Sequence, residues 1–325
     1  MLQTIYKPLQ ERGLRQDTIN IISASWRTST KKQYSSYIKR WINFCQEKGT
    51  NHLVADVNCV LEFLGDLFNK EQLSYSAINT ARSALSSFLV LTDATFTVGN
   101  HPLISRLLKG SFHLRPPKPR YDATWDVNIV FNYLRKMSPV TRLSLKQLTL
   151  KVCMLLALTS AQRVQSLSYL HLDLMQILNN SVTFQFLDLL KQSKPGNTNS
   201  SLKIQGYPPD RRLCVLRYLR QYIERTRDIR GTERYLFISF KKPHGRVTTS
   251  TIARWIKEVM KAAGIDTEQY KAHSTRAAST SAACQNNLPV SDILKQAGWS
   301  NEKTFRTFYK KPIEAKNFQT SVIMH

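Results

Sequence analysis

The chain has 325 residues, of which 42% are hydrophobic and 10% aromatic, so its composition excludes a disordered polypeptide and allows two domains with cores of their own. It carries 47 Lys and Arg against 22 Asp and Glu, a formal net charge of +25. The basic residues are spread along the whole chain, which favours nucleic acid as the partner because neutralising phosphates releases condensed counterions. A membrane surface is the weaker alternative, since no basic helix has a clean apolar face.

The five cysteines are widely separated, with no C-x-x-C motif and no histidine at metal-ligand spacing. We interpret them as reduced core residues of an intracellular protein, and we expect no bound metal. The N-terminus lacks the apolar core of a signal peptide, and no apolar run reaches the roughly 18 residues of a membrane helix. We therefore expect no association with membranes.

The first 110 residues show helical periodicity, with apolar residues from Tyr34 to Cys45 at intervals of three and four. The predicted helices begin near Thr30, Asp56, Ser74 and Pro102. Their short connections predict a compact bundle of four or five helices over residues 1–112. Its outer faces are predicted to carry the basic side chains of Lys31, Lys32, Lys39, Arg40 and Arg82.

A basic, proline-rich segment over residues 113–125 is the predicted linker. Three prolines lie within four positions, at 116, 117 and 119, and they favour an extended path over a helix. The segment also carries Lys118 and Arg120. A strap that follows a polyanion and a solvated spacer both fit this composition.

Residues 126–325 are predicted to form a mixed α+β domain, which makes the chain mainly α overall. Two β-rich stretches, SVTFQF (181–186) and SLKIQ (201–205), flank a loop rich in Gly, Asn and Ser and predict a small antiparallel sheet. The predicted helices cover residues 126–137, 143–158, 211–226, 250–263, 273–284, 290–297 and 301–309.

The stretch from 273 to 311 carries the residues that suggest chemistry. His273 and Arg276 project from one face of a helix start, where they could hold a single anionic group with help from the helix dipole. For an isolated H-x-x-R, a capping histidine and a solvated surface arginine are the simpler explanation. Trp299 follows Gly298, and Tyr309 lies ten residues beyond Trp299. Each aromatic residue taken singly also fits a position in the core.

Together, HSTR, GW and TFY resemble the C-terminal signature of the tyrosine recombinase (phage integrase) family. The N-terminal stretch ASWRTSTKKQYSSYIKRWINFC is similar to recombinases of eukaryotic DIRS-like mobile elements. The resemblance covers nearly the whole chain. It implies a helical core-binding domain over 1–112, a linker over 113–125 and an α+β catalytic domain of the DNA breaking-rejoining type over 126–325.

The resemblance also implies roles for individual residues. Tyr309 would be the nucleophile, His273 its proton acceptor, and Trp299 a packing residue that donates through its indole N–H. Arg276 and Arg163, the latter in TSAQRVQSL, would bind the phosphate oxygens in a way that an ammonium could not.

One position departs from the family pattern, and one role has two candidates. Ser166 stands where many members of the family have an acidic residue, which removes an expected carboxylate. The catalytic lysine of the family lies on a β-hairpin, where both Lys191 and Lys194 fit. Lys191 is favoured because it ends the apolar run FLDLL.

The activity implied is DNA strand cleavage and rejoining through a covalent 3′-phosphotyrosine, without metal or small-molecule cofactor. The implied partner is double-stranded DNA, held by a homotetramer on two sites, with Lys194 and Lys310 joining the basic residues of the bundle and linker as DNA contacts. An inactive, recombinase-derived DNA-binding protein and a type IB topoisomerase-like enzyme are the alternatives. The expected location is the nucleus if the host is eukaryotic.

Overall fold

The computed structural model describes residues 6, 9–10, 13–93, 95–117, 121–190, 193 and 201–313. The chain divides into two compact units, Met1–Pro119 and Arg120–His325. The prediction of a mainly α fold with a small antiparallel sheet is confirmed. Four basic residues named above lie outside the described residues: Lys118, Arg120, Lys191 and Lys194.

The first unit is a helical bundle. Its helices are α1 (Gln16–Ala24), α2 (Thr28–Lys48), α3 (Val57–Asn69), α4 (Tyr75–Leu85) and α5 (Pro102–Leu114). Two parallel strands of two residues each, β1 (Val54–Ala55) and β2 (Val90–Leu91), were not predicted because strands this short show no periodicity. The helix starts near Asp56 and Ser74 are confirmed, since each side chain accepts a hydrogen bond from a backbone N–H of the first turn.

The core of the first unit is built around Trp41 of α2, which is fully buried. Its ring meets Phe63 of α3 edge to face, with centroids 5.2 Å apart, and its indole N–H donates to the carbonyl of His52 at 2.9 Å. Both the apolar face and the polar edge of the indole are therefore satisfied.

The basic side chains of this bundle differ in their exposure and in their hydrogen bonds to the rest of the fold. Those that are exposed or half-buried, as predicted for an outer face, are Lys31, Lys32, Lys39 and Arg40. Arg82 is half-buried as well, and two of its donor atoms are used within the fold. Its guanidinium is partly buried, donating to Asn79 Oδ1 at 2.7 Å and to the carbonyl of Gly99 at 3.3 Å. Arg82 thus anchors the loop before α5, because α4 packs close to that loop.

The second unit surrounds a central helix, α7. Its helices are α6 (Val127–Lys136), α7 (Leu145–Ser160), α8 (Val164–Ser168), α9 (Val215–Thr226), α10 (Thr249–Ala263), α11 (Ser274–Gln285), α12 (Val290–Ala297) and α13 (Glu302–Phe308). Nearly every side chain of α7 is buried, because α9, α10 and α11 pack around it. The predicted start of α9 at 211 was early, since residues 211–213 form a turn.

A three-stranded antiparallel sheet completes this unit. Its strands β3 (Met175–Ile177), β4 (Ser181–Gln185) and β5 (Ser201–Gln205) lie in that order, with Thr183 opposite Lys203. Strands β4 and β5 were predicted, whereas β3 was not. Val182 and Phe184 face the core from β4, as the alternating pattern of its sequence requires.

The predicted linker over residues 113–125 overlaps both units at its ends. Helix α5 continues to Leu114, so two linker residues are helical. At the other end, Trp125 is 1% exposed and its indole N–H donates to Ser274 Oγ at 2.9 Å. The backbone N–H of Thr124 donates to the carbonyl of Pro312 at 2.8 Å. Residues 124 and 125 therefore belong to the second unit.

Candidate active site

Helix ends bring the predicted site residues together in the second unit. His273 immediately precedes α11, while Arg276 lies in its first turn. Helix α12 ends at Ala297. The next residue, Gly298, has a φ of 66°, a left-handed conformation that glycine adopts without strain, and Trp299 follows. Helix α13 ends at Phe308, which leaves Tyr309 just beyond its last turn.

His273 and Tyr309 form the polar centre of the site. The Nε2 atom of His273 lies 2.9 Å from the Tyr309 hydroxyl oxygen, within hydrogen-bond distance, and the ring centroids are 5.7 Å apart. The His273 side chain is exposed and Tyr309 is half-buried. The hydroxyl group therefore has a proton acceptor beside it when that ring nitrogen is unprotonated, at a position open to solvent.

Arg276 is a buried cation that is only partly hydrogen-bonded. The residue is 1% exposed, and its Nη2 donates to the carbonyl of Ala297 at 3.0 Å. Among the described residues, its Nε and Nη1 atoms have no hydrogen-bond partner. Its guanidinium carbon lies 5.5 Å from the ring centroid of Tyr309. Two buried donors thus remain available beside the phenol.

Burial lowers the pKa of Arg276 from 12.5 to about 10, and the nearby positive charge of Arg163 adds to this lowering. The guanidinium nevertheless stays protonated at neutral pH. A positive charge held in a poorly solvated place, with two donor nitrogens unpaired, favours an anionic ligand because leaving such groups unpaired is costly.

Trp299 forms one wall of the site. Its ring lies 4.4 Å from that of Tyr309 and stacks on Phe305 at 5.6 Å, with the guanidinium of Arg276 at 4.7 Å from its centroid. Its indole Nε1 is buried and has no hydrogen-bond partner in the described part of the chain. The indole thus fixes the phenol ring by packing and offers a third unused donor.

Arg163 lies directly before α8, in extended backbone, and is half-buried. The preceding residue, Gln162, donates through Nε2 to the carbonyl of Gln296 at 2.7 Å. Gln296 adjoins Ala297, the residue that binds Arg276. One hydrogen bond thus ties the Arg163 segment to the end of α12. Ser166, at the position where an acid was expected, is buried.

Not every predicted residue joins this group. Lys310 is exposed and follows Tyr309 in the chain, while the candidate lysines of the hairpin lie outside the described residues. The DNA-contacting roles of the basic residues stay predictions. Two residues at the site were not predicted: Gln162, and Ser281, whose hydroxyl donates to the backbone carbonyl of Tyr309. The only signal in the sequence was the small-residue composition of α11, which allows the segment at Tyr309 to lie close to this helix.

Two further findings concern the described residues. Within them, no group of three or more His, Cys, Asp or Glu side chains is arranged to hold a metal ion. None of the helices in this part of the chain has the length and apolar character needed to cross a membrane.

Two protein-family models match the chain. The model of the Phage integrase family matches residues 132–314, and the model of the Phage integrase, N-terminal SAM-like domain matches residues 16–92. No curated protein matches the sequence.

Several solved structures are similar in fold. The Tn1549 transposon integrase in complex with transposon right end DNA is 13% identical, with a TM-score of 0.57 over 99% of this chain and 97% of that one. The XerH site-specific recombinase bound to palindromic difH substrate is 12% identical, with a TM-score of 0.53 over 78% of this chain and 68% of that one. A lambda integrase dimer bound to a COC′ core site is 13% identical, with a TM-score of 0.52 over 98% and 79%. At these identities the likeness is one of fold.

Proposed function

Because the chain belongs to the phage integrase family, we propose that it is a site-specific DNA recombinase that cleaves and rejoins DNA strands through Tyr309. The observation that carries this proposal is the 2.9 Å contact between His273 Nε2 and the Tyr309 hydroxyl, beside the unpaired guanidinium nitrogens of Arg276. The nucleophile Tyr309, the base His273 and the anion-binding donors of Arg276 therefore lie side by side.

In the proposed reaction, the Tyr309 oxygen attacks the scissile phosphorus atom. A bond from phosphorus to the phenolic oxygen forms, the bond from phosphorus to the 5′ oxygen breaks, and the phenolic proton passes to His273. The leaving oxygen takes a proton, a role that family resemblance gives to Lys191 or Lys194. One phosphoester replaces another, so the strand can be rejoined by the reverse reaction without an external energy source.

The arginines stabilise the charge that develops on the phosphoryl oxygens. A phosphodiester is already an anion, and the pentacoordinate transition state places more negative charge on its equatorial oxygens. The Nε and Nη1 atoms of Arg276 are fixed before the substrate arrives, because Trp299 packs on the guanidinium and Ala297 accepts from it. The neighbouring charge of Arg163 adds to the same field.

The substrate in this proposal is double-stranded DNA. The net charge of +25 supports it, because phosphate neutralisation is the largest sequence-independent source of DNA affinity. By family resemblance, four protomers would assemble on two DNA sites. A mobile element as the source extends the proposal and is supported by the similarity of the N-terminal stretch to DIRS-like recombinases. A nuclear location would follow if the host is eukaryotic.

A covalent-trapping experiment tests the proposal. Duplexes selected from a random library for binding to the wild-type protein would be nicked one nucleotide from each candidate cleavage position, so that the released fragment diffuses away and the adduct accumulates. We expect a denaturant-resistant protein–DNA adduct with the wild type and none with Tyr309→Phe. Tyr133→Phe is the matched control, because this half-buried tyrosine lies on α6 and packs against the main core of the unit.

The outcomes separate the alternatives. Binding to selected DNA without an adduct at any nick position would identify an inactive DNA-binding protein. Relaxation of supercoiled plasmid by a monomer, without a selected site, would favour a topoisomerase. An adduct that persists in Tyr309→Phe would exclude Tyr309 as the nucleophile.

A further inference from the structure

Ser281 lies in the middle of α11 and is 2% exposed. Its hydroxyl donates to the carbonyl of Tyr309 at 2.9 Å and accepts the backbone N–H of Lys311 at 3.0 Å. A Ser or Thr within a helix commonly donates to the carbonyl one turn earlier, as Thr280 does to Arg276 at 2.7 Å. The Ser281 hydroxyl instead reaches out of its helix to another segment of the chain.

That segment begins where α13 ends and its backbone groups lose their helical partners. The N–H groups of Tyr309 and Lys310 both donate to the carbonyl of Phe305, at 2.9 and 2.8 Å, and so close the last turn. The Tyr309 carbonyl and the Lys311 N–H lie beyond that turn. The single hydroxyl of Ser281 satisfies both groups.

We propose that Ser281 is a positioning residue for Tyr309, an inference that rests on the proposed function. The phenol end of Tyr309 meets His273 at the start of α11, and its backbone meets Ser281 two turns further along the same helix. The nucleophile is thereby held at both ends against the helix that also carries Arg276. Its distance from the phosphate-binding donors is set by one rigid element, which is the condition for an oriented attack.

The composition of α11 permits this arrangement. Its sequence, STRAASTSAACQ, contains almost entirely small residues, and Ala277 and Ala278 are buried. A small side chain at 281 lets the segment after α13 approach the helix closely enough for a hydroxyl on a single carbon to reach its backbone. A longer polar side chain at 281 would hold the segment after α13 further from helix α11.

The first test reads the contact itself and does not depend on activity. Hydrogen–deuterium exchange at the Lys311 amide would be measured in full-length wild type, Ser281→Ala, Ser281→Thr and Ser279→Ala, with fragmentation mass spectrometry to resolve single amides. We expect exchange of this amide to rise roughly tenfold in Ser281→Ala, because its acceptor is lost, and to stay near wild type in Ser281→Thr.

Ser279→Ala is the matched control. It removes a hydroxyl from the same helix, but Ser279 donates to the carbonyl of Leu158 on α7, whereas Ser281 donates to the carbonyl of Tyr309. General loosening of α11 would raise Lys311 exchange in both alanine variants. Unchanged exchange in Ser281→Ala would overturn the inference.

The second test measures whether Ser281 affects the rate of cleavage through the position of Tyr309. In single-turnover cleavage of the trapped DNA, we expect Ser281→Ala to slow the chemical step by on the order of tenfold, while its Kd for the same DNA stays at the wild-type value. Ser281→Thr should restore the rate, and Ser279→Ala should retain it. A wild-type rate in Ser281→Ala, despite faster Lys311 exchange, would overturn the positioning role. If the wild type itself forms no adduct, the proposed function fails, and the exchange result still decides whether Ser281 holds the segment.

Discussion

Two of the basic side chains buried in the second unit, Lys151 and Arg276, differ in how far their donor atoms are hydrogen-bonded. Lys151 lies on the central helix α7 and is fully buried. Its Nζ donates to the carbonyls of Leu134 and Met137, both at 2.7 Å, and lies 3.8 Å from the ring centroid of Tyr218. These carbonyls belong to the end of α6, so the ammonium caps that helix from inside the core.

Arg276 is buried to a similar extent but donates only one hydrogen bond among the described residues, to Ala297. The difference shows that burial of a charge does not by itself distinguish structure from function. A buried cation whose donors are used stabilises the fold. One with unused donors beside a nucleophile is arranged for a ligand that arrives later.

Among the substitutions that test this contrast, Arg276→Lys should have the largest effect, on the rate of DNA cleavage. The ammonium keeps the charge but loses the planar, two-pronged donor geometry, so we expect single-turnover cleavage to fall about 10²–10³-fold. The free energy of unfolding should change little, because the guanidinium contributes only one hydrogen bond to the fold. A loss of stability as large as the loss of activity would contradict the contrast with Lys151.

The converse result is expected for Lys151→Met. Two buried carbonyls lose their donor, so the free energy of unfolding in urea should fall by about 2 kcal/mol. Cleavage by the folded protein, measured below the onset of unfolding, should match the wild type. A specific loss of cleavage in a variant of normal stability would show that Lys151 acts on the site.

Trp299→Phe sharpens the comparison at the site. The phenyl ring still packs against Arg276 and Tyr309, but the unpaired indole N–H is gone. If that N–H binds substrate, cleavage should fall about tenfold while unfolding is almost unchanged. Equal cleavage rates for Trp299→Phe and the wild type would limit Trp299 to packing.

The smallest effect concerns pH. Burial lowers the pKa of Lys151 from 10.5 to about 7, with the charges of Arg212 and Arg217 adding to the lowering and that of Asp210 opposing it. Between pH 7 and 10.5 the unfolded chain binds more protons at this lysine than the folded chain does. Stability should therefore rise with pH across this window, by about 1 kcal/mol per pH unit.

Urea unfolding at pH 7, 8 and 9 measures this slope, and Lys151→Met should lose it. Arg276 does not contribute in that range, because its pKa of about 10 lies above it. An identical slope in wild type and Lys151→Met would show that another group causes the pH dependence.

Much of the fold and part of the site could be predicted because they depend on short-range patterns. Asp56 and Ser74 mark helix starts through local capping, and the alternation in residues 181–185 marks β4. Strand β3 was not predicted, because its three residues are too few to show alternation and are extended through their pairing with β4. The hydrogen bond from Arg82 to Gly99 was not predicted for a similar reason, since the two residues lie 17 positions apart.

The sequence by itself was enough to select His273, Arg276, Trp299 and Tyr309 as site residues, because their order and spacing match the signature of the family. Only the tertiary structure decided which donors of Arg276 stay unpaired and that Ser281 reaches the backbone beyond α13. Such facts depend on contacts between helices that are distant in the chain. Periodicity reports which face of a helix is buried, but not which atom lies opposite it.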